Sequence, residues 1–310
     1  MALVGRDACE ACDTWGESLG TRWIELIETY TFDTGRLHGG IKPWGHYHGV
    51  CGLVSRHRPF NLVKPAGAFL NAEYYIRPGT AAKMVPRALA RQKLTTHEQI
   101  GDDVVVRFPP GPEYGLSLAL RYSIGDDAID MRITIDPTAD IPGFQIFFAS
   151  YVCEALDETW VPLRRSDGTR EWATLARMND RGATFGALRD DSARKHLLNK
   201  YPDLDSSIEV QSRPFDRPIL VARDSKDGMA LVIMCQPDIT PYVMGQHHGW
   251  DTAHDWAFAF DLHAWERIEA GARMVCCPLP DVDVMSGVID DLWDTFAREI
   301  GAEGSPASGG

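Results

Sequence analysis

Apolar and polar residues alternate with a period of two along most of the chain, in short runs separated by Gly, Pro and Asp. The segment "AIDMRITIDP" (128–137) alternates strictly and places Ile129, Met131, Ile133 and Ile135 on one face. "DDVVVRFPPG" (102–111) and "YGLSLALRYSIGDD" (114–127) precede it, so 102–137 reads as a β-meander. "RWIELIETYTFD" (22–33), "GFQIFFASYV" (143–152), "RPILVARD" (217–224) and "GMALVIMC" (228–235) extend the pattern. The last two are joined as a hairpin through "SKDG". "DWAFAFDLHAWERIEAGARMVCCPLP" (255–280) reads as two strands around an "EAG" turn. Helical periodicity is rare. "DDSARKHLLNKY" (190–201) fits one short helix, and "SGVIDDLWDTFAREI" (286–300) fits a longer one with Ser286 as N-cap.

Roughly fourteen strands or more must close their edges, and two large antiparallel sheets packed face to face do so better than one small barrel. The expected fold is therefore all-β, a β-supersandwich with few short helices and a C-terminal helix. The expected divisions are an N-terminal arm over 1–19, a single β domain over 20–300 and a disordered tail over 301–310. No internal repeat or linker interrupts the body.

Charge narrows the partners. The 310 residues carry 44 acidic and 31 basic side chains, a net −13, and no basic run suited to phosphates. Nucleic acid and anionic membrane surfaces are disfavoured, and no apolar run reaches the length of a membrane span. Without a leader-like start, a cytoplasmic location is expected. The seven cysteines (Cys9, Cys12, Cys51, Cys153, Cys235, Cys276 and Cys277) are scattered and read as reduced.

Three segments concentrate chemistry. "GGIKPWGHYHGV" (39–50) holds Lys42, Trp44, His46 and His48 between glycines. As a strand it would turn both imidazoles to one side, fit to share a proton relay or a divalent metal. "GQHHGWDTAHDW" (245–256) reads as a loop entering a strand, with Gln246, His247, Trp250 and His254. "FLNAEYYIRPGT" (69–80) alternates Asn71, Glu73 and Tyr75 onto one face, with Arg77 continuing it and Arg87 following. Dinucleotide, P-loop, HExxH and GxSxG motifs are absent from the sequence.

The order of segments resembles the galactose-mutarotase-like β-supersandwich family, and most closely a bacterial branch of it. The likeness rests on "YHGV-x-GLV" (Tyr47 to Val54), the meander at Ala128 to Ile135 and "FFASY" (Phe147 to Tyr151). "GQH" (Gly245 to His247) and "EAG" (Glu269 to Gly271) complete it. The H-x-Y-x-N segment of aldose epimerases in that family has no residue-by-residue match. The resemblance implies a concave sheet groove holding a mono- or oligosaccharide. His46, His48, Glu73 and His247 are then the expected acid–base groups for epimerase- or lyase-like proton transfer. Trp44 and Trp250 would stack on the sugar, and Lys42, Tyr75, Arg77, Arg87, Gln246 and His254 would bind it. Three alternatives stay open. His46, His48 and His247 could ligate a metal, Glu73 could pair with Asp251 or Asp255 in a two-carboxylate hydrolase, or the chain could be a non-catalytic carbohydrate-binding module.

Overall fold

The computed structural model describes residues 28–76, 85–110, 115–175, 183–201, 208–248 and 251–303. Strands β1 (Tyr30–Asp33), β2 (Leu37–Lys42), β3 (Gly49–Ser55) and β4 (Arg58–Asn61) form a four-stranded antiparallel sheet. Strand β5 (Asn71–Ile76) leads to helix α1 (Val85–Arg91). Next come β6 (Thr96–Ile100), β7 (Asp103–Phe108), β8 (Leu116–Ile124), β9 (Ala128–Pro137) and β10 (Ile141–Tyr151). β11 (Glu158–Arg164), β12 (Arg170–Leu175), β13 (Ala183–Leu188), α2 (Arg194–Lys200) and β14 (Ile208–Val210) follow. The chain continues through β15 (Ile219–Arg223), β16 (Met229–Cys235), β17 (Tyr242–His248), β18 (Asp251–Leu262) and β19 (Ile268–Pro278) to helix α3 (Val282–Glu303).

Two large sheets carry the architecture. One has nine strands in the order β12-β11-β15-β16-β19-β9-β8-β7-β6; the other has six, in the order β14-β13-β17-β18-β10-β5, with β13 and β14 parallel. The expected all-β sandwich is thus present, with the small four-stranded sheet beside it. The meander is β7-β8-β9, and Ile129, Met131, Ile133 and Ile135 are fully buried as the alternation requires. They face Ile146, Phe148, Trp256 and Phe258 of the six-stranded sheet across the main core, where Phe148 and Trp256 stack at 5.5 Å. β15 and β16 are buried on both faces, which explains their unbroken apolar runs. Their second face is covered by α3 through Met285, Ile289, Trp293 and Phe296.

Several boundaries differ from expectation. Helix α3 starts at Val282, so Ser286 sits inside it and accepts a hydrogen bond from Trp172 Nε1 rather than capping. The "EAG" residues are paired within β19, opposite β9; the turn lies at 263–267, where Trp265 takes φ +69°. Helix α1 is too short for its period to stand out in sequence. Residues 22–27 of the first expected strand, and Cys9 and Cys12, lie outside the described residues, while Cys51, Cys153, Cys235, Cys276 and Cys277 are free thiols. Among the described residues, no helix is long and apolar enough to cross a membrane.

Candidate active site on the six-stranded sheet

Strand alternation sorts the six-stranded sheet into two faces. The inner one meets the nine-stranded sheet. The outer one carries Phe147, Ala149 and Tyr151 of β10, Tyr242 and Met244 of β17, and Ala253 and Ala257 of β18, with Ala193 and Leu197 of the α2 segment laid across them. Polar groups on that outer face are few and convergent.

Glu73 is their centre. Only 4 % exposed, it accepts at Oε1 from the Tyr151 hydroxyl at 2.5 Å, from Asn71 Nδ2 at 3.3 Å and from Arg87 Nη1 at 3.5 Å. A bulge in β5 opposite Phe147 and Phe148 interrupts the plain alternation expected for 71–75. Asp255 is also buried, and it accepts from Gln246 Nε2, whose amide also donates to the Tyr201 hydroxyl at 3.1 Å. Ala149 of β10 lies between Asn71 of β5 and Asp255 of β18, so β10 alone separates the carboxylate-bearing strands, a spacing of about 10 Å.

Lys200, the last residue of α2, sits with its Nζ 4.5 Å from the centre of the Phe147 ring and 4.9 Å from that of Tyr201. Burial lowers its pKa to about 8, against the upward pull of Asp255 and Glu73. Burial, reinforced by Glu73 and Asp255, pushes the Tyr151 phenol up, so it stays protonated and donates. The site thus places two carboxylates and a titratable ammonium together in a weakly hydrated setting lined by aromatic rings.

The loop 43–48 and α1 form the adjoining wall. The Thr95 hydroxyl donates to Pro43 O and Gly45 N donates to Ala90 O, tying the loop down. Tyr47 packs on Tyr151 at 4.8 Å, and the Arg87 guanidinium lies over Tyr47 at 4.4 Å. The strand expected through 42–48 does not form. β2 stops at Lys42, and His46 and His48 part company: His46 is exposed, whereas His48 is fully buried. The glycines that suggested a site serve packing. A Cβ on Gly39 would lie 2.1 Å from Gly52 O, and Gly49 takes φ +102°.

His48 accepts the Ala72 amide at Nε2 (3.2 Å) and packs on Phe108. Burial, with Lys42 and Arg87 nearby, holds its pKa down at about 3, so it is neutral. His46 Nε2 accepts from Arg87 Nη2 (3.0 Å) and Arg91 Nη2 (3.1 Å). Two guanidiniums on that nitrogen oppose a cation, so the expected His46–His48 metal pair is not formed. Among the described residues, no three His, Cys, Asp or Glu groups converge as a metal set.

Other expectations divide. Gln246 and His247 fall in strand β17, not in a loop. His254 points between the sheets, fully buried and 3.0 Å from Thr159 Oγ1 of β11, and so lies off the outer face. Trp44 holds the Lys93 ammonium 4.2 Å above its ring. Arg77 and Trp250 lie outside the described residues, as do the side chains of Tyr75, His247 and Asp251. Tyr151, Lys200, Tyr201 and Arg91 were not anticipated. Nothing local marks Lys200 at the end of a short helix, and Tyr151 was visible only as the end of an apolar strand.

No family model matches the chain, and no curated protein matches it in sequence. Solved structures do match in fold. A candidate aldose 1-epimerase from Escherichia coli K12 superposes with a TM-score of 0.54 at 10% identity, over 81% of this chain and 99% of that one. An alpha-N-acetylgalactosaminidase from Bifidobacterium bifidum gives 0.54 at 12% identity, over 87% of this chain but 39% of its own. A TPR-domain containing protein from Parabacteroides distasonis gives 0.53 at 12% identity, over 83% and 48%. At such identities the shared property is the fold, and it is the β-supersandwich that the segment order resembles.

Proposed function

We propose that this protein is a carbohydrate-active enzyme that binds a saccharide on the outer face of its six-stranded sheet and transfers protons there. The observation that carries the reading is the convergence of Glu73, Asp255 and Lys200 between the rings of Tyr47, Phe147 and Tyr201. The solved structures of the same fold, a candidate aldose 1-epimerase and a glycosidase, support the saccharide class.

In this reading Glu73 is the base. Its Oε1 is occupied by three donors; Oε2, which takes no side-chain hydrogen bond among the described residues, receives the proton. Lys200, largely protonated at pH 7, returns a proton to the substrate, and Asp255 stabilises the ammonium. Tyr151 and Arg87 hold the carboxylate in place. Epimerisation and β-elimination share this need for a paired base and acid.

A second reading keeps hydrolysis open. Glu73 and Asp255 sit on strands flanking β10 and face the same side, so both can approach one glycosidic bond as a two-carboxylate hydrolase requires. A panel of reducing saccharides, uronides and aryl glycosides separates the two. Anomer exchange by NMR, unsaturated product by ultraviolet absorbance and aglycone release each report one chemistry. Loss of the observed turnover in Glu73→Gln supports the site, and turnover retained in that variant refutes it.

A further inference from the structure

The wall beside Glu73 concentrates positive charge in a chain of net −13. Arg87 and Arg91, one helical turn apart on α1, both aim Nη2 at His46 Nε2, at 3.0 and 3.1 Å. A neutral imidazole nitrogen has one in-plane lone pair, so two guanidinium donors share what fully satisfies one. Partial desolvation beneath the two arginines, with the charges of Arg91, Arg87 and Lys42, lowers the His46 pKa although the residue is exposed, which keeps that nitrogen an acceptor. Arg87 Nε is buried and has no partner among the described residues. Arg91 meets no carboxylate among them, and its side chain is open to solvent. Arg87 also links this spot to the site, since its Nη1 reaches Glu73 and its plane covers Tyr47.

An anionic oxygen is a stronger acceptor for two guanidiniums than an imidazole, and a carboxylate or phosphate offers several lone pairs where His46 offers one. We propose that the saccharide bound on the six-stranded sheet carries an anionic group, a carboxylate or a phosphate ester, held by Arg87 and Arg91 at His46. The inference rests on the saccharide-binding reading above and names its substrate class.

The test titrates the full chain with glucuronate, glucose 6-phosphate and glucose, and with the corresponding galacto sugars, by saturation-transfer NMR at low and high salt. The expected result is about tenfold tighter binding of an anionic sugar than of its neutral parent, weakened by salt. Uronate and phosphate arms identify which anion fits. In Arg91→Gln the anionic-to-neutral preference collapses, and in Arg91→Lys part of it remains. That conservative variant shows that the loss follows charge rather than folding. Neutral and anionic sugars bound equally, with Arg91→Gln without effect, would overturn this inference and leave the saccharide reading standing. No binding of any sugar would overturn both.

Discussion

Glu73 is held by a tyrosine, an asparagine and an arginine at one oxygen, so its geometry is set before any ligand arrives. Glu73→Gln keeps the shape and removes the proposed base. A fall in kcat of about 10²- to 10⁴-fold is expected, with the melting temperature little changed. Lys200 gives the pH profile. With its pKa near 8 and the ammonium as the active form, activity declines as pH rises through about 8. In Lys200→Arg that alkaline limb disappears from the pH–rate profile; a limb unchanged in the variant would assign it elsewhere. His48 affects stability instead. An unfolded histidine takes up a proton below about pH 6.5, but the folded His48 does so only near pH 3. The unfolded state therefore binds more protons across that window, and stability falls as pH is lowered. His196, held down to about 4 by burial, acts in the same direction. Glu171 and Asp190, held near 2 by hydrogen bonds, add their own loss once pH falls below about 5.5, where unfolded carboxylates begin to take up protons. Denaturant unfolding between about pH 6.5 and 5.5 thus reads mainly the histidines. His48→Gln is expected to flatten the slope by up to about 1.4 kcal/mol per pH unit, one proton's worth.

At the scale of elements, helix α3 covers the face of the nine-stranded sheet remote from the site. Gly287 lies within it, and a methyl group added there would enter open space, so Gly287→Ala should stabilise by about 0.5–1 kcal/mol. Ile289 is fully buried against the sheet, and Ile289→Ala should cost about 2–5 kcal/mol. Neither change should alter turnover at temperatures where the variant stays folded, and calorimetry beside an activity assay checks both. The elements themselves were largely legible in sequence. Strict alternation marked β8 and β9, and the paired apolar runs marked β15 and β16, because burial of one or both faces imposes those patterns directly. Helix α1 was not legible, since seven residues leave too few turns to show a period. The "HYH" strand failed for a related reason: alternation in a short polar segment does not tell a strand from a loop pinned by glycines. Glu73 stood out as the one carboxylate in its strand. Its partners Tyr151 and Lys200 come from distant segments, and only the sheet order β18-β10-β5 and the path of α2 bring them to it.

The whole molecule separates support from chemistry. Between the two large sheets lies an apolar core with His254 and Thr159 paired inside it, while Glu73, Tyr151, Asp255 and Lys200 gather on the outer face of the six-stranded sheet. A net acidic chain with a basic wall beside Glu73 favours small anionic ligands at that wall over extended polyanions. The most direct test is hydrogen–deuterium exchange of the intact chain with and without the tightest saccharide from the panel. Slowed exchange confined to β5, β10, β18, the loop 43–48 and the ends of α1 and α2 is the predicted result. Protection centred instead on β6–β8 or α3, with β5 and α2 unchanged, would contradict the placement of the site.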